Sequence, residues 1–384
     1  MIAVTLMYRT HLEYRITSHA ALHYEYALCG LRQALSMIEN EQNSGQLDSI
    51  LASLFMLIWF EILARDWHKW NVHLQILTHL ITSLDGARAF DSRFRRRLIL
   101  ATARLEVPNM LWTLHPPILG SRLYEQMLFS YQPYPEDDME DAAVLAFHRL
   151  HVIMARFAIP YADWMRGGLT RSAVRACMAD ILEQLKEWHY NLPFPLQRLG
   201  NPSSLTTRPR TPLQTTLFIH YLSTKLFVMH VLDPNCSVPG DSAYQFCREV
   251  SWDICRLVAD LGPPEKRSTA SFRGDVGVIL PLAVVSMFLR EEAERAWICQ
   301  WARRVDQEGM WCGRRRSMII EAWAICAQEH SLALPFHTMV GQDNIHWKPG
   351  QKLKVSIMTY DAAQDWRSSV EVYMDDEDPP ATSV

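Results

Sequence analysis

Apolar residues recur along most of the chain at intervals of three and four, the spacing that places side chains on one face of an α-helix. In the first part these stripes are Tyr24, Leu28, Leu31, Leu35 and Ile38; Trp67, Trp70, Leu74, Leu77, Ile81 and Leu84; and Phe94, Leu98, Ala101 and Leu105. Further on they are Ala143, Phe147, Leu150, Met154 and Phe157; Val174, Cys177, Ile181, Leu185 and Trp188; Phe218, Tyr221, Leu222, Met229 and Leu232; and Cys247, Val250, Ile254, Leu257 and Leu261. The pattern predicts an all-α protein, built as a large irregular multi-helix domain.

Three stretches depart from this helical pattern. Residues 198–212, RLGNPSSLTTRPRTP, are rich in Pro, Ser and Thr, and predict the main internal loop. Residues 352–357, KLKVSI, alternate with a period of two, which is typical of a strand. The acidic segment MDDEDPPATSV, from Met374 to the last residue, has little to bury, so we expect a poorly ordered C-terminal tail.

Composition narrows the class of protein. With 384 residues, 49% of them hydrophobic, the chain has enough apolar surface for a substantial core, which excludes global disorder. The formal net charge of -4 lacks the basic excess of a protein that grips nucleic acid throughout its length. The first residues have no basic region and no small-residue cleavage site, so we expect no secretory signal there. The apolar run from Ile50 stops at Glu61, short of the roughly 20 residues that span a bilayer. We therefore predict a buried core helix there, and no membrane partner.

The eight cysteines contain no Cys-x2-Cys pair. Zinc modules and dithiol redox motifs both use such close spacing, so the simplest interpretation is that these are reduced, buried thiols of an intracellular protein.

The sequence DDMED at 137–141 matches the D-D-x-x-D pattern and resembles the magnesium-diphosphate motif of terpene synthases. Clustered carboxylates suit hard cations, so an all-α magnesium-dependent enzyme is one alternative function. However, the acids precede the apolar pattern from Ala142, which places them at a helix start, where they complement the helix dipole. The second metal motif of such enzymes is absent downstream.

Other candidate sites also have structural interpretations. Asp241 or Ser242, after Gly240, is expected to cap the helix that begins near Tyr244. The pairs His19 with His23 and His148 with His151 could share a helix face, but they lack an H-E-x-x-H pattern or a third ligand, and His151 is expected to be a core histidine. There is no glycine-rich phosphate loop. We predict no catalytic residue, no cofactor and no metal site.

Two basic triplets, Arg95 to Arg97 and Arg314 to Arg316, are short and lie within predicted helices. Runs of this kind usually form solvated faces, and the arginines at 93, 95 and 96 lie off the stripe that contains Phe94. The second follows Gly309 and Trp311, which we expect to end one helix and to fill the core beside the next.

Two blocks carry a resemblance to a known family. The first, from Ile50 to Ile81, is an apolar helix with a Phe-Glu step, followed by Trp and an amphipathic helix. The second, from Val278 to Trp323, is an apolar helix with a proline, an Arg-containing turn, an aromatic-bearing helix, Gly-x-Trp and a last helix. Both blocks resemble the fungal-specific transcription factor domain, the helical regulatory region that usually follows a zinc binuclear cluster. On this basis we predict a regulatory domain at 7–330 and a partly disordered extension at 331–384.

The resemblance implies a nuclear transcriptional regulator or co-regulator, acting on a fungal biosynthetic gene cluster through protein or effector binding. It implies other regulators or a homo-dimer as partners, leaves room for a small-molecule effector, and supplies no catalytic residues. No segment of the chain has the six closely spaced cysteines of the zinc cluster, so DNA binding by that route is not expected from this chain alone. Three interpretations stay open: a regulator lacking the module, a truncated sequence, or a partner of a complete factor. A helical module that never approaches DNA is a further alternative.

Overall fold

The computed structural model describes residues 18–38, 44–64, 67–83, 139–199, 211–233, 242–262, 277–305 and 311–329. It also describes the strand segments 307–308, 337–339, 352–361 and 366–374, several positions between 94 and 106, and residues 236 and 240. Its helices are α1 Ser18–Ile38, α2 Ser44–Ala64, α3 Trp67–Ser83, α4 Met139–Met165, α5 Arg171–Tyr190, α6 Phe194–Leu199, α7 Pro212–Leu232, α8 Ser242–Asp260, α9 Ile279–Val285, α10 Glu292–Arg304 and α11 Gly313–Glu329. The predicted all-α class is confirmed.

The chain divides into two compact units. Unit 1 comprises Met1–Glu106 and Ile118–Gln132, and unit 2 comprises Val107–Pro117 and Pro133–Val384. The boundary lies inside the predicted regulatory domain at 7–330, whose limits stay a prediction. Residues 375–384 of the predicted disordered tail lie outside the described residues.

Unit 1 is built on α2, which packs against α1 and α3. The apolar run from Ile50 forms the buried helix that the sequence predicts, with Leu51, Leu54 and Ile58 fully enclosed. The stripe on α3 is confirmed at Trp70, Leu74, Leu77 and Ile81, all of them buried. Each such side chain contributes roughly 1.5 to 3 kcal/mol through its removal from water.

Helix α7 is the centre of unit 2, because it packs against α4, α5, α8 and α9. Almost every side chain from Leu213 to Thr224 is buried. The helix begins with a capping box: the Thr211 hydroxyl accepts from the Gln214 amide at 3.3 Å, and the Gln214 side-chain oxygen accepts from the Thr211 amide at 3.2 Å. Pro212 follows at the first helical position, where no amide is needed. The predicted loop at 198–212 thus ends in a helix cap, while residues 200–210 lie outside the described residues.

Helices α4 and α5 confirm most of the predicted stripes. Ala143, Phe147, Leu150, Met154 and Phe157 are all buried on α4. On α5 the prediction was wrong at one position, because Cys177 is exposed and Met178 is fully buried in its place. Val174, Met178, Ile181 and Leu185 follow one another at steps of four and three, so they form one buried face of α5. Cys177 comes one residue before Met178 and therefore lies outside this face.

Two small sheets complete unit 2. Strands β1 (Gln307–Glu308) and β2 (Trp311–Cys312) pair antiparallel between α10 and α11. Strands β3 (His337–Met339), β4 (Leu353–Asp361) and β5 (Trp366–Met374) form an antiparallel sheet in the order β3-β4-β5. The strand predicted at 352–357 corresponds to the start of β4, in which Val355 pairs with Val372. Both β4 and β5 pack on α11, where Leu353 and Val355 join a buried cluster on that helix.

Candidate functional site

The most concentrated group of buried polar side chains in unit 1 joins its three main helices. Tyr24 on α1 donates its hydroxyl hydrogen bond to the Glu61 carboxylate on α2, and its oxygen lies 3.0 Å from Nε2 of His73 on α3. The carboxylate and that imidazole nitrogen are 3.7 Å apart. All three residues are buried, with Glu61 only 1% exposed. We call Tyr24, Glu61 and His73 the polar triad.

The polar triad can lock the helices of unit 1 in one register. A buried carboxylate is costly unless hydrogen bonds replace its water shell, so the Tyr24 hydroxyl, which donates to Glu61 and also contacts His73, makes Glu61 tolerable inside the core. The Tyr24 ring also stacks on Phe60, at 4.4 Å between centroids, which fixes the direction of its hydroxyl. His73 Nδ1 is buried and has no hydrogen-bond partner in the described part of the chain.

Sequence reasoning missed the triad, since it considered Glu61 only as the end of an apolar run. The signal was present, because a carboxylate inside a helix that is apolar on every side must be buried and must therefore have partners. The partners themselves could not be named, since they come from neighbouring helices 37 residues before and 12 residues after it in the sequence.

The prediction that the arginine triplets form solvated faces was wrong for Arg95 and Arg316, while Arg96 and Arg97 lie outside the described residues. Arg95 is only 2% exposed and forms an ion pair with Asp48 of α2, whereas Phe94, expected in the core, is 47% exposed. In the second triplet Arg316 is 4% exposed, while Arg315 is partly exposed and the Arg314 side chain lies outside the described residues. Burial, with Arg315 beside it, lowers the pKa of Arg316. In each triplet one arginine turns inward because its helix phase faces the core.

The C-terminal block is held together by a polar contact between α10 and α11. Arg303 donates from Nε to the Ser317 hydroxyl at 2.9 Å, and from Nη2 to the Glu321 carboxylate at 2.9 and 3.3 Å. Burial raises the pKa of Glu321, and the Arg303 charge opposes that rise. In the second block that carries the family resemblance, hydrogen bonds and an ion pair thus join the last two helices. Gly309 and the Trp311 side chain, expected to end α10 and to fill this junction, lie outside the described residues.

A second ion-pair group links α8 to the start of α10. The Arg248 guanidinium contacts Glu291 at 2.7 Å and Glu294 at 2.6 Å. Glu294 also caps α10, since its carboxylate accepts from the Glu291 amide at 3.0 Å. Beside it the Tyr244 hydroxyl donates to the Phe288 carbonyl at 3.0 Å. These contacts explain why a segment rich in charged residues packs onto α8.

The sequence-predicted candidates do not assemble into a metal centre in the described residues. Helix α4 begins at Met139, as the helix-start interpretation of DDMED predicts, but Asp137 and Asp138 lie outside the described residues. The magnesium-enzyme alternative therefore stays a prediction. Across the described residues, no group of three His, Cys, Asp or Glu side chains is placed to hold a metal ion.

In unit 2, the described histidine and serine candidates lie in the core or at a helix start. His151 is 1% exposed, and its Nδ1 lies 2.8 Å from the Phe147 carbonyl, which agrees with the expected core histidine. His148 is also buried, and the His19 side chain lies outside the described residues. Helix α8 begins at Ser242, two residues earlier than expected, and Asp241 lies outside the described residues. Gly240 precedes it with φ of 98°, a conformation that only glycine adopts without strain.

Unit 2 presents an exposed surface where aromatic rings and lysines lie together at α5, α7 and α8. Lys225 of α7 lies 5.4 Å from the ring centre of Phe246, which is 42% exposed, and Tyr190 at the end of α5 is 80% exposed. His189 stacks parallel on Tyr221 at 5.1 Å. Burial, and then the nearby Lys186, lower the pKa of Lys225. We call Lys186, His189, Tyr190, Lys225 and Phe246 the aromatic-basic surface.

Helix α4 contains one segment, Ala142–Met165, that is long and apolar enough to cross a membrane by length and composition alone. Two-thirds of its most apolar window is already buried, since α5 and α7 cover it. The Trp188 indole of α5 donates to the Ala146 carbonyl of this segment at 3.0 Å, and Phe227 of α7 packs on Phe157 with ring centres 5.1 Å apart. These contacts are those of a core helix.

Comparison with known proteins gives one match. No curated protein and no solved structure matches the chain. A family model, described as fungal specific transcription factor domain, matches residues 1–370, which includes unit 1 and all of unit 2 except its last 14 residues. Because this match covers nearly the whole chain, the protein belongs to the fungal specific transcription factor domain family, and its role is that of a transcriptional regulator.

Proposed function

We propose that this regulator acts in the nucleus by binding another transcription regulator through the aromatic-basic surface of unit 2. The observation that carries the regulatory role is the family match over residues 1–370. Membership in a transcription factor family also favours a regulator over an enzyme. The choice of surface is supported by the exposure of Tyr190 and Phe246 beside two lysines.

The chemistry of this surface defines the partner. Exposed aromatic rings supply most of the binding energy at protein interfaces, and Tyr190 is 80% exposed. Lys186 lowers the pKa of Lys225 because two positive charges lie near each other, so a carboxylate from a partner would relieve their repulsion. The partner segment we propose is therefore acidic with apolar side chains interspersed. Either a second regulator or another copy of this chain could supply it.

Recruitment to DNA is proposed to come from the partner. The chain has a net charge of -4 and lacks the spaced cysteines of a zinc binuclear cluster. Sequence-specific contact would then be made by a complete factor, with this chain adjusting its output at the genes of a biosynthetic cluster.

The test combines gene deletion with a surface variant. In the native fungus, deletion should change transcript levels of a coherent gene group, and tagged protein should be recovered with the chromatin of those genes. The variant Y190A/F246A/K225E should reproduce the deletion without loss of protein. The matched control is Tyr26→Ala, because Tyr26 is 64% exposed and belongs to unit 1, so it is not one of the residues of the proposed surface.

Three results would each contradict a different part of the proposal. Unchanged transcripts on deletion would remove the regulatory role of this chain. A transcript change with no chromatin recovery would favour the interaction module that never approaches DNA. Full activity of the triple variant would place the partner site elsewhere on the molecule.

A further inference from the structure

The sheet formed by β3, β4 and β5 has two very different edges. The strand at one edge, β3, is three residues long, whereas the strand at the other edge, β5, is nine residues long. In the described part of the chain, β5 pairs with β4 alone, so no strand is paired with its outer edge there. An edge of this length presents a row of backbone N–H and C=O groups that can pair with another strand.

The devices that usually prevent edge strands from pairing are a proline, a lysine or a β-bulge. The sequence of β5, WRSSVEVYM, contains neither Pro nor Lys. All nine of its residues pair with β4 in one unbroken register, from Met374 opposite Leu353 onward, so there is no bulge. Its valines and aromatic residues also favour β-structure. The outer edge of β5 is therefore suited to pairing.

The described side chains of β5 alternate between two environments. Val372 and Met374 pack against the buried cluster on α11. Glu371 and Tyr373, each one position earlier, are exposed. The Glu371 carboxylate lies 2.7 Å from Nζ of Lys354 on β4, yet 48% of its side chain is still exposed. The carboxylate therefore keeps accessible surface for a second positive charge.

The two charged residues of β5 make this strand complementary to a second copy of itself. Arg367 and Glu371 are four positions apart, so they share one face of the strand. When two copies pair antiparallel with Ser369 opposite Ser369, position 367 of each copy lies opposite position 371 of the other. Opposite charges at such cross-strand positions stabilise the pairing, and like charges destabilise it. A register centred on Glu371 would instead place two carboxylates opposite each other.

We propose that this protein forms a homodimer in which the β5 strands of two copies pair antiparallel about Ser369. The two three-stranded sheets then become one continuous sheet. Two cross-strand pairs of Arg367 with Glu371, one on each side of the centre, fix the register. On the other face of the strand, the same register places Val372 opposite Trp366, an apolar pair. The inference does not rest on the aromatic-basic surface, which belongs to α5, α7 and α8.

The first measurement is the oligomeric state of the full chain over a range of concentrations, by sedimentation velocity. The wild type should pass from monomer to dimer as the concentration rises. Over the same range, amide hydrogen exchange should slow in β5 and stay unchanged in β3, at the opposite edge of the sheet. Slower exchange in β3 in place of β5 would overturn the proposal. A wild type that stays monomeric at its highest soluble concentration would also overturn it, and would leave this edge to a strand of another protein.

Charge-reversal variants test the register. Arg367→Glu places two carboxylates opposite each other in each pair, and Glu371→Arg places two guanidinium groups there, so each variant alone should dimerise at least about tenfold more weakly. Mixing the two variants restores opposite charges at both pairs, so the mixture should dimerise at concentrations where each variant alone is monomeric. Circular dichroism shows whether each variant keeps the helical fold. Two folded variants whose mixture stays monomeric would overturn the proposed register.

The triple variant Y190A/F246A/K225E is the matched control, because its changes lie on the aromatic-basic surface. It should dimerise like the wild type. If this variant loses dimerisation while Arg367→Glu keeps it, the contact between copies lies on the aromatic-basic surface and the β5 pairing is overturned. If only the β5 variants lose dimerisation, the homodimer is the one proposed. Transcript levels in the triple variant then test the partner surface separately, so the two proposals can fail independently.

Discussion

Replacement of Tyr24 by phenylalanine should loosen unit 1 while leaving its packing in place. The ring of Tyr24 stacks on Phe60 at 4.4 Å, and a phenylalanine keeps that contact. Only the hydroxyl is lost, together with its hydrogen bonds to Glu61 and His73. Glu61 then has His73 Nε2 at 3.7 Å as its neighbour in the triad, beyond hydrogen-bond distance, and stays 1% exposed.

The magnitude follows from these two bonds. The hydrogen bond that the Glu61 carboxylate accepts contributes about 1.5 to 3 kcal/mol, and the one between the Tyr24 hydroxyl and the His73 imidazole about 0.5 to 1.5 kcal/mol. Since a polar group left buried without its partner costs its full desolvation, we expect the free energy of unfolding of unit 1 to fall by about 2 to 4 kcal/mol. That is a large part of the roughly 5 to 15 kcal/mol that stabilises a typical domain.

Amide hydrogen exchange is the suitable assay, because it resolves the helices of unit 1 from those of unit 2. Exchange in α1, α2 and α3 should accelerate by about 30-fold or more, since each 1.4 kcal/mol is a factor of ten, while exchange in α4 and α7 stays the same. Tyr26→Phe is the matched control, because Tyr26 lies on the same helix and is 64% exposed. If both variants exchange alike, the polar triad does not stabilise unit 1 and the reasoning fails.

Three further predictions concern stability. Arg248→Ala should lower the free energy of unfolding by about 1 kcal/mol in urea titrations, because the buried Glu294 loses its partner, and high salt should reduce this effect. The control is Arg256→Ala on the same helix, where 68% of the side chain is exposed. It should change the free energy of unfolding by less than about 0.5 kcal/mol. Leu98→Ala should lower the free energy of unfolding by about 2 to 5 kcal/mol in thermal unfolding, whereas Phe94→Ala, at an exposed position, should lower it by well under about 1 kcal/mol. Equal losses would mean that Phe94 is buried, as the sequence pattern predicts. Burial, and then Lys225, lower the pKa of His189 below its ordinary 6.5. As the pH falls, the unfolded chain therefore binds the proton before the folded chain does. The free energy of unfolding that His189 contributes above about pH 6.5 is then lost as the pH falls through the pKa of the folded protein. His189→Phe keeps the stack on Tyr221, so its melting temperature should fall less than that of the wild type between about pH 7.5 and 5.5, and an identical fall would rule out His189 as the titrating group.

The sequence predicts the helices well and the polar contacts poorly, for a physical reason. Periodicity depends on neighbours within one helix, so the stripes at Trp70 to Ile81 and Ala143 to Phe157 could be identified directly. The Glu61 contacts depend on which helices meet, and that information lies in residues far apart in the sequence.

Phase errors account for the remaining differences. The predicted stripe includes Phe94 and Leu98, but the structure buries Arg95 and Leu98 and leaves Phe94 exposed. The prediction was therefore wrong by one position at the first residue of this stripe. An arginine has a long apolar stem and gains a place inside when a carboxylate such as Asp48 meets its head. The sequence does not show which arginine of a triplet meets a carboxylate, so it cannot distinguish a buried arginine from a solvated one.

Helix α11 has one consequence for how this protein can be handled in the laboratory. Its Met318, Ile319 and Ala322 are covered by Leu353 and Val355 of β4, with Val372 and Met374 packed at the edge. A shortened chain ending at residue 330, the limit that helical periodicity and family resemblance suggest, would lose both strands and leave this apolar face open to water. Self-association of such a fragment would then be an artefact of the cut, which would imitate the homo-dimer expected of a regulator. Oligomeric state should therefore be measured on chains that extend at least through Met374.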